Sequence, residues 1–384
     1  MPALDAAQAA HAAAVRTALR AQLAEAGGWL PFDAYLDQVL YAPGLGYYSA
    51  GAAKLGAAGD FTTAPELSAL FGRCVARHCA PLLHAGADLL ELGAGTGALA
   101  ATVLPQLAAL GALPRHYDIL EVSADLRARQ RRRLESLPPP LRSRLRWLDA
   151  LPAQPLRGVI LANEVADALP FRCFTVTAGG YLERGVGLDE RGEFTWVERP
   201  APPELTTELA RIGATLPAPW PAGFRGELCL RAAPWLAGLA AALHTGTVLL
   251  FDYGLGRSEL YHPQRDCGTL HCHYRHRAHG DPFLFPGLQD ITAWVDFTRL
   301  AEAASDAGLE VAGYCTQAAF LLGAGIEAEL SAAADALERA RHASQARQLL
   351  MPGEMGETFK ALALTRGDVD CGAAFRVQDL RRLL

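Results

Sequence analysis

The 384-residue sequence has no C-x-x-C pair, no surplus of positive charge and no uninterrupted apolar run long enough to cross a bilayer. Its eight cysteines are scattered singly, which gives neither a paired metal or redox motif nor a disulfide framework, and they read as the reduced thiols of a cytoplasmic protein. Lys and Arg number 35 against 41 Asp and Glu, a net charge of −6, so no global field favours nucleic acid or an anionic membrane. The local run Arg127, Arg129, Arg131, Arg132 and Arg133 has the character of a solvated helix face. The alanine-rich start, 1–26, is punctuated by Asp5, His11, Arg16, Arg20 and Glu25 and reads as a surface helix, not an export signal. The most hydrophobic later stretch, 235–251, is broken by His244-Thr245-Gly246, which implies a helix, a turn and a buried strand in place of a membrane span.

What is present begins with "LLELGAGTGALA" at 89–100, an apolar run ending in Glu91 and then Gly93, Gly95 and Gly97 at every second position. Glycine admits positive φ and lets a ligand approach the bare main chain, so such turns after strands cradle cofactors. The same residues satisfy G-x-G-x-x-G/A, which keeps an NAD(P)-dependent oxidoreductase open as an alternative.

Short apolar strands at 88–92, 117–122, 145–148, 159–163 and 247–251 alternate with helical segments, the pattern of a doubly wound α/β sheet. Residues 1–86 read as a helical region carrying a long Gly/Tyr-rich loop, in which Tyr47 and Tyr48 suggest a lid. "TAPE" at 63–66 has capping-box spacing, so Glu66 is expected to cap the next helix. Residues 171–244 form an inserted substrate-side subdomain between core segments 87–170 and 245–366, with a tail at 367–384. A helix at 290–307, strands at 309–314 and 359–365, and a helix at 327–349 close the core. Ligands of open α/β sheets bind beyond the carboxyl ends of the strands. Those ends carry Glu91, Glu121, Asp149 and the tetrad opening "NEVADALP", with Asn163, Glu164 and Asp167. Glu121 suits the ribose hydroxyls, although it lies farther from the glycines than the roughly twenty residues usual for a dinucleotide.

An acid-flanked Gly-x-Gly-x-Gly after the first strand, an acid after the second and a polar tetrad after the fourth resemble the class I S-adenosylmethionine-dependent methyltransferases. Nearly the whole chain resembles their MidA-like branch, through segments such as "GLGYYSAGAAKLGAAGDFTTAPELSALFG", "LEVSADLRARQ", "ILANEVADALPF", "GELCLRAAPWL" and "MGETFKALAL". Departures fall at Ala94, Thr96 and Ala166, none of which removes a polar group needed by the cofactor. The resemblance implies a Rossmann-like methyltransferase sheet with a helical N-terminal region and large insertions, binding S-adenosyl-L-methionine. It implies that Gly93, Gly95 and Gly97 line the methionine part, that Glu121 holds the ribose and that Asp149 or its neighbours edge the adenine, with Glu91 and Asn163 completing the set. It further implies arginine methylation in a partner protein, a core subunit of the respiratory NADH dehydrogenase (complex I), whose assembly one family member assists. A guanidinium keeps its charge at physiological pH, so Glu164 and Asp167 are expected to grip it. A cofactor-binding assembly chaperone without turnover is a further alternative. His262, His271, His273, His276 and His279, with Cys267 and Cys272, lack the paired spacing of a zinc module, and no metal is expected. Their loop is expected to shape the acceptor groove, with Tyr274, Phe283 and Phe285 excluding water.

Overall fold

The structure, a computed structural model, describes residues 4–49, 62–83 and 86–384. Its centre is a sheet whose strands in chain order are β1 (Asp88–Leu92), β2 (Tyr117–Leu120), β3 (Leu145–Leu148), β4 (Leu156–Asn163), and, after an insertion containing β5 to β8, β9 (Leu243–Leu255). Neighbouring residues of each strand serve opposite faces. Leu89, Val159, Leu161, Leu249 and Phe251 pack beneath the helices Ala69–Cys79 and Ala98–Ala109. Leu90, Ile160, Leu250 and their neighbours pack beneath Ala232–Ala242 and Phe297–Asp306. Both faces are therefore covered, which is why β1 is buried at every residue and reads as a nearly continuous apolar run.

The insertion folds its four strands, β5 (Arg172–Thr177), β6 (Gly180–Leu188), β7 (Phe194–Pro200) and β8 (Arg225–Leu228), into a sheet of order β7-β6-β5-β8. The helix Pro203–Thr215 lays Leu205, Leu209 and Ile212 against Phe174 and Phe224 from that sheet. After β9, a small sheet joins β10 (His271–Tyr274), β11 (Arg277–His279) and β12 (Asp290–Thr292), and β13 (Val295–Asp296) pairs with the end of β9. The chain closes the main sheet with β14 (Glu310–Thr316) and β15 (Phe359–Arg366), giving the order β14-β15-β9-β4-β1-β2-β3. β15 runs antiparallel to both neighbours, whereas β3, β2, β1, β4 and β9 are parallel. The N-terminal helix Ala6–Glu25 buries Val15, Leu19 and Leu23 among residues of the insertion and the small sheet, including Phe171 and Ile291.

Two expected helices differ. The segment expected as a helix at 290–307 is strand until Asp296, whose carboxylate accepts the Arg299 N–H at 3.0 Å and starts the helix there. The segment 327–349 is two helices, Ile326–Ser331 and Ala336–Leu350, because Asp335 caps the second by accepting the Glu338 N–H at 2.8 Å. Residues 50–61 of the expected lid loop lie outside the described residues. No helix among the described residues is long and apolar enough to cross a membrane.

Candidate active site

The loops leaving β1, β2 and β4 meet the N-terminal segment around a cavity of about 490 Å³, a size usual for small-molecule sites. On one wall lies the glycine turn, where Gly93 and Gly95 line the cavity and Gly97 faces Gln130, with φ of 57°, 53° and 85°. These left-handed values suit glycine, and a Cβ on Gly93 would stand 3.1 Å from Val165. Beneath the turn Glu91 is buried and accepts the Tyr117 hydroxyl at 2.8 Å. Burial, reinforced by nearby Glu121, pushes its carboxyl up to about 7.

Glu121, at the end of β2, accepts the Ser123 N–H at 2.9 Å and the Gln130 amide at 3.1 Å. Burial raises its carboxyl, and these donors act against the rise. Gln130 is fully buried on the helix Ala124–Leu134. Its amide nitrogen also donates to the Gly95 carbonyl at 2.9 Å, and its oxygen accepts the Trp147 indole N–H at 3.0 Å. One side chain thus joins the glycine turn, the β2 acid and β3. The sequence reading missed it, although Gln130 shares the stripe of Leu126 and Leu134 at spacing of four, a sign that it faces inward.

The structure does not bring Asp149 to this cavity. Its side chain is 91% exposed and paired with Arg127 at 2.8 Å; Leu151 lines the wall in its stead. The arginine run is occupied similarly: Arg129 pairs with Asp125 at 2.8 Å, Arg133 with Glu66 at 2.7 Å, and Arg131 lies over the Trp147 ring. Glu66 therefore does not cap its helix. The four-residue helix Ala64–Leu67 has no side-chain cap bond from Thr63, and Glu66 binds Thr96 of the glycine turn together with Arg133.

At the other end of the cavity stand Asn163, Glu164 and Asp167. Glu164 adopts φ 54°, unusual for a residue with a side chain. The turn is held from β9, where Asp252 accepts the N–H of Ala166 at 2.9 Å and of Asp167 at 3.2 Å. The Tyr253 hydroxyl donates to Asp167 Oδ2 at 2.6 Å, and the Asn163 amide donates to Glu164 at 3.1 Å. Asp167 Oδ1 and Asn163 Oδ1 are buried without a partner. Burial pushes Glu164 up to about 8 and Asp167 up to about 6, with Asp167 adding like-charge repulsion at Glu164. Among the described residues no ion pair joins a cation to Glu164, Asp167 or Asp252.

The aromatic wall differs from expectation. Tyr41 and Tyr48 line the cavity, stacked at 5.4 Å, with the Tyr41 hydroxyl on the Ala168 carbonyl and the Tyr48 hydroxyl on Asp290 at 2.8 Å. Tyr274 packs on Phe285, and Phe283 packs on Tyr35 and Trp196, away from the cavity lining. His271 and His273 sit in β10 with their rings 4.9 Å apart. No three His, Cys, Asp or Glu side chains among the described residues group as a metal set.

The cavity thus has a bare-backbone end with a buried acid and an acidic end one strand away. Comparison with known proteins identifies the family and its cofactor. Residues 74–315 match the family model of S-adenosyl-L-methionine-dependent methyltransferases. The chain belongs to that family. A crystal structure from Burkholderia thailandensis bound to S-adenosyl-homocysteine is 44% identical to this methyltransferase, with TM-score 0.94 and 100% of both chains covered. A native structure from the same organism is 43% identical, with TM-score 0.92 and the same coverage. The mitochondrial protein arginine methyltransferase NDUFAF7 of Danio rerio is 28% identical over 85% of this chain and 81% of its own length. Its Bos taurus counterpart is 28% identical over 86% and 78%. The doubly wound α/β methyltransferase fold, the enzyme class and the cofactor S-adenosyl-L-methionine stand as expected, and the oxidoreductase alternative falls away.

The expected cytoplasmic location is corrected, since these curated relatives are mitochondrial proteins. The eight cysteines are free thiols, but free thiols report only a reducing environment and do not tell one reducing compartment from another.

Proposed function

We propose that the methyl acceptor is an arginine side chain of a partner protein, gripped by Glu164 and Asp167. The observation carrying this reading is the pair of carboxylates at the acidic end of the cavity, which form no ion pair among the described residues; Arg231, a cation lining the same cavity, is paired with Asp37 at 2.5 Å. Asp167 is buried and Glu164 half-buried at the cavity wall; two such acids left without a countercharge cost free energy, and a planar cation with five N–H donors relieves it. The names of the NDUFAF7 relatives support the same acceptor. Bound S-adenosyl-L-methionine supplies an activated methyl group. Gly93, Gly95 and Gly97 are assigned to its amino-acid end and Glu121 to its ribose, with Glu91 and Asn163 beside them. Leu151 takes the adenine edge expected of Asp149.

Transfer of this kind needs alignment and a dry pocket more than covalent help. Glu164 and Asp167 orient the guanidinium, and Tyr41 and Tyr48 keep water from it. The partner we propose is a core subunit of the respiratory NADH dehydrogenase, with segment 171–244 as the subdomain on its side. Asp167→Asn should leave cofactor affinity unchanged and cut turnover about a hundredfold, the scale of a misaligned nucleophile. Mass spectrometry of that subunit from cells with and without the enzyme tests the partner. An unchanged arginine methylation pattern would exclude it, and methyl groups found only on lysine, carboxylates or small molecules would exclude the arginine chemistry as well.

A further inference from the structure

We infer that Tyr253 is a positioning residue for methyl transfer: by hydrogen-bonding one oxygen of Asp167, it fixes how that carboxylate stands at the acceptor's end of the cavity. The inference rests on Asp167 facing the acceptor, as proposed above, and adds how that carboxylate is aimed. Tyr253 and Asp252 are consecutive on β9, and they hold the same turn through different atoms. Asp252 takes the main chain, accepting the N–H groups of Ala166 and Asp167 through Oδ2 and that of Tyr253 at 3.0 Å through Oδ1. Tyr253 takes the side chain, its hydroxyl donating to Asp167 Oδ2 at 2.6 Å. The phenol ring is itself wedged between Phe359, at 5.4 Å, and His271, at 5.8 Å. A ring held on two sides keeps its hydroxyl in one place.

Asp167 Oδ1 is the oxygen left over, buried and without a side-chain partner in a residue that borders the cofactor cavity. A carboxylate free to rotate would take a range of angles at the cavity, but this one is anchored at Oδ2. During transfer the N–CH3 bond forms as the CH3–S bond breaks, its electron pair staying on sulfur. The acceptor nitrogen becomes acidic and its proton passes to the Asp167 carboxylate. The Tyr253 hydrogen bond holds the carboxylate in the ionised form needed to receive it, opposing the rise that burial imposes.

The groups facing Asp167 are Glu164 on its own turn, Asp252 and Tyr253 on β9, and Tyr41 and Tyr48 from the N-terminal segment. Away from the cavity, Glu227, Asp296 and Arg299 border a hollow of about 30 Å³ that Asp167 also touches. Of these, Tyr253 donates to the Asp167 side chain and Asp252 accepts the Asp167 N–H.

The test compares wild type with Tyr253→Phe, which removes the hydroxyl and keeps the ring. In protein labelled with 13C at aspartate carboxyls and saturated with S-adenosyl-homocysteine, the Asp167 resonance is assigned by its loss in Asp167→Asn. Its midpoint, which burial raises above the ordinary carboxylate range, should move at least half a pH unit further upward in Tyr253→Phe. Affinity for S-adenosyl-homocysteine should stay within about threefold, which also certifies the fold. Transfer to the acceptor protein should fall tenfold or more in kcat, and the acid limb of the pH profile should follow the resonance upward. An unmoved midpoint, or a moved midpoint with wild-type kcat, overturns the positioning role. The parent reading fails separately, through wild-type turnover in Asp167→Asn.

Discussion

Replacing Glu164 by glutamine should make the protein more stable and inactive in the same step. The Glu164 carboxyl stands at about 8 against an ordinary 4.5, chiefly through burial and then through the charge of Asp167. Between those two values the folded protein holds a proton that the unfolded chain has lost. Stability therefore falls as pH rises through that window, and the loss is complete above about 8. At face value the difference is roughly 5 kcal/mol, but the side chain borders an open cavity where solvent screens it, so about 2–3 kcal/mol is the working figure. Glutamine keeps an oxygen for the Asn163 amide, now at 3.1 Å, and never ionises. Calorimetric unfolding at pH 5.5 and pH 9 is the assay. The two proteins should melt close together at the lower pH, and the variant should melt a few degrees higher at the upper one. Methyl transfer should drop about a hundredfold, since the neutral amide holds a guanidinium poorly. An equal melting difference at both pH values would refute the reasoning, because it would mean that Glu164 does not carry the buried proton.

Three further expectations concern the cofactor end. S-adenosyl-homocysteine should raise the melting temperature, by linkage equivalent to about 2.7 kcal/mol at a hundredfold excess over Kd, while NADH should not; Gly95→Val should abolish the effect by forcing a branched residue into φ 53°. Glu121→Ala should weaken binding by about 1.5–3 kcal/mol in titration calorimetry, the range of hydrogen bonds to a charged acceptor; an untouched Kd would remove Glu121 from the cofactor site. Gln130→Leu should weaken binding by about 1–3 kcal/mol without touching any ligand directly, because Gly95 and Glu121 both lose its amide. A Kd equal to wild type would show that the glycine turn keeps its shape unaided.

The features legible in the sequence are those set by short spacing. The glycine turn, the acids at the strand ends and the alternation of strands with helices each follow from neighbours along the chain, and all three lie where the periodicity puts them. Position at a strand end does not, however, say which way a side chain turns, so Asp149 joins Arg127 at the surface. Tyr41, Asp252 and Tyr253 reach the turn at 163–168 from segments far away in sequence, and no local pattern encodes such a meeting. The break at Asp335 was available: Asp335 and Glu338 have the spacing of a helix start inside an apparently continuous helix. Tyr274, Phe283 and Phe285, expected over the acceptor groove, pack instead against the N-terminal scaffold and the insertion, a distinction that only tertiary contacts draw.

Gln130 fastens the Gly95 carbonyl to the Glu121 carboxylate through protein contacts alone. The glycine turn and the acid after β2 are thereby set at a fixed separation, like jaws on one frame. Fragments of the cofactor that fill only one part of this end should then bind with free energies that combine almost additively, since neither has to order the frame for the other. Cooperativity, where it exists in this enzyme, would have to reside in the acidic end, whose turn hangs from β9 and not from this frame.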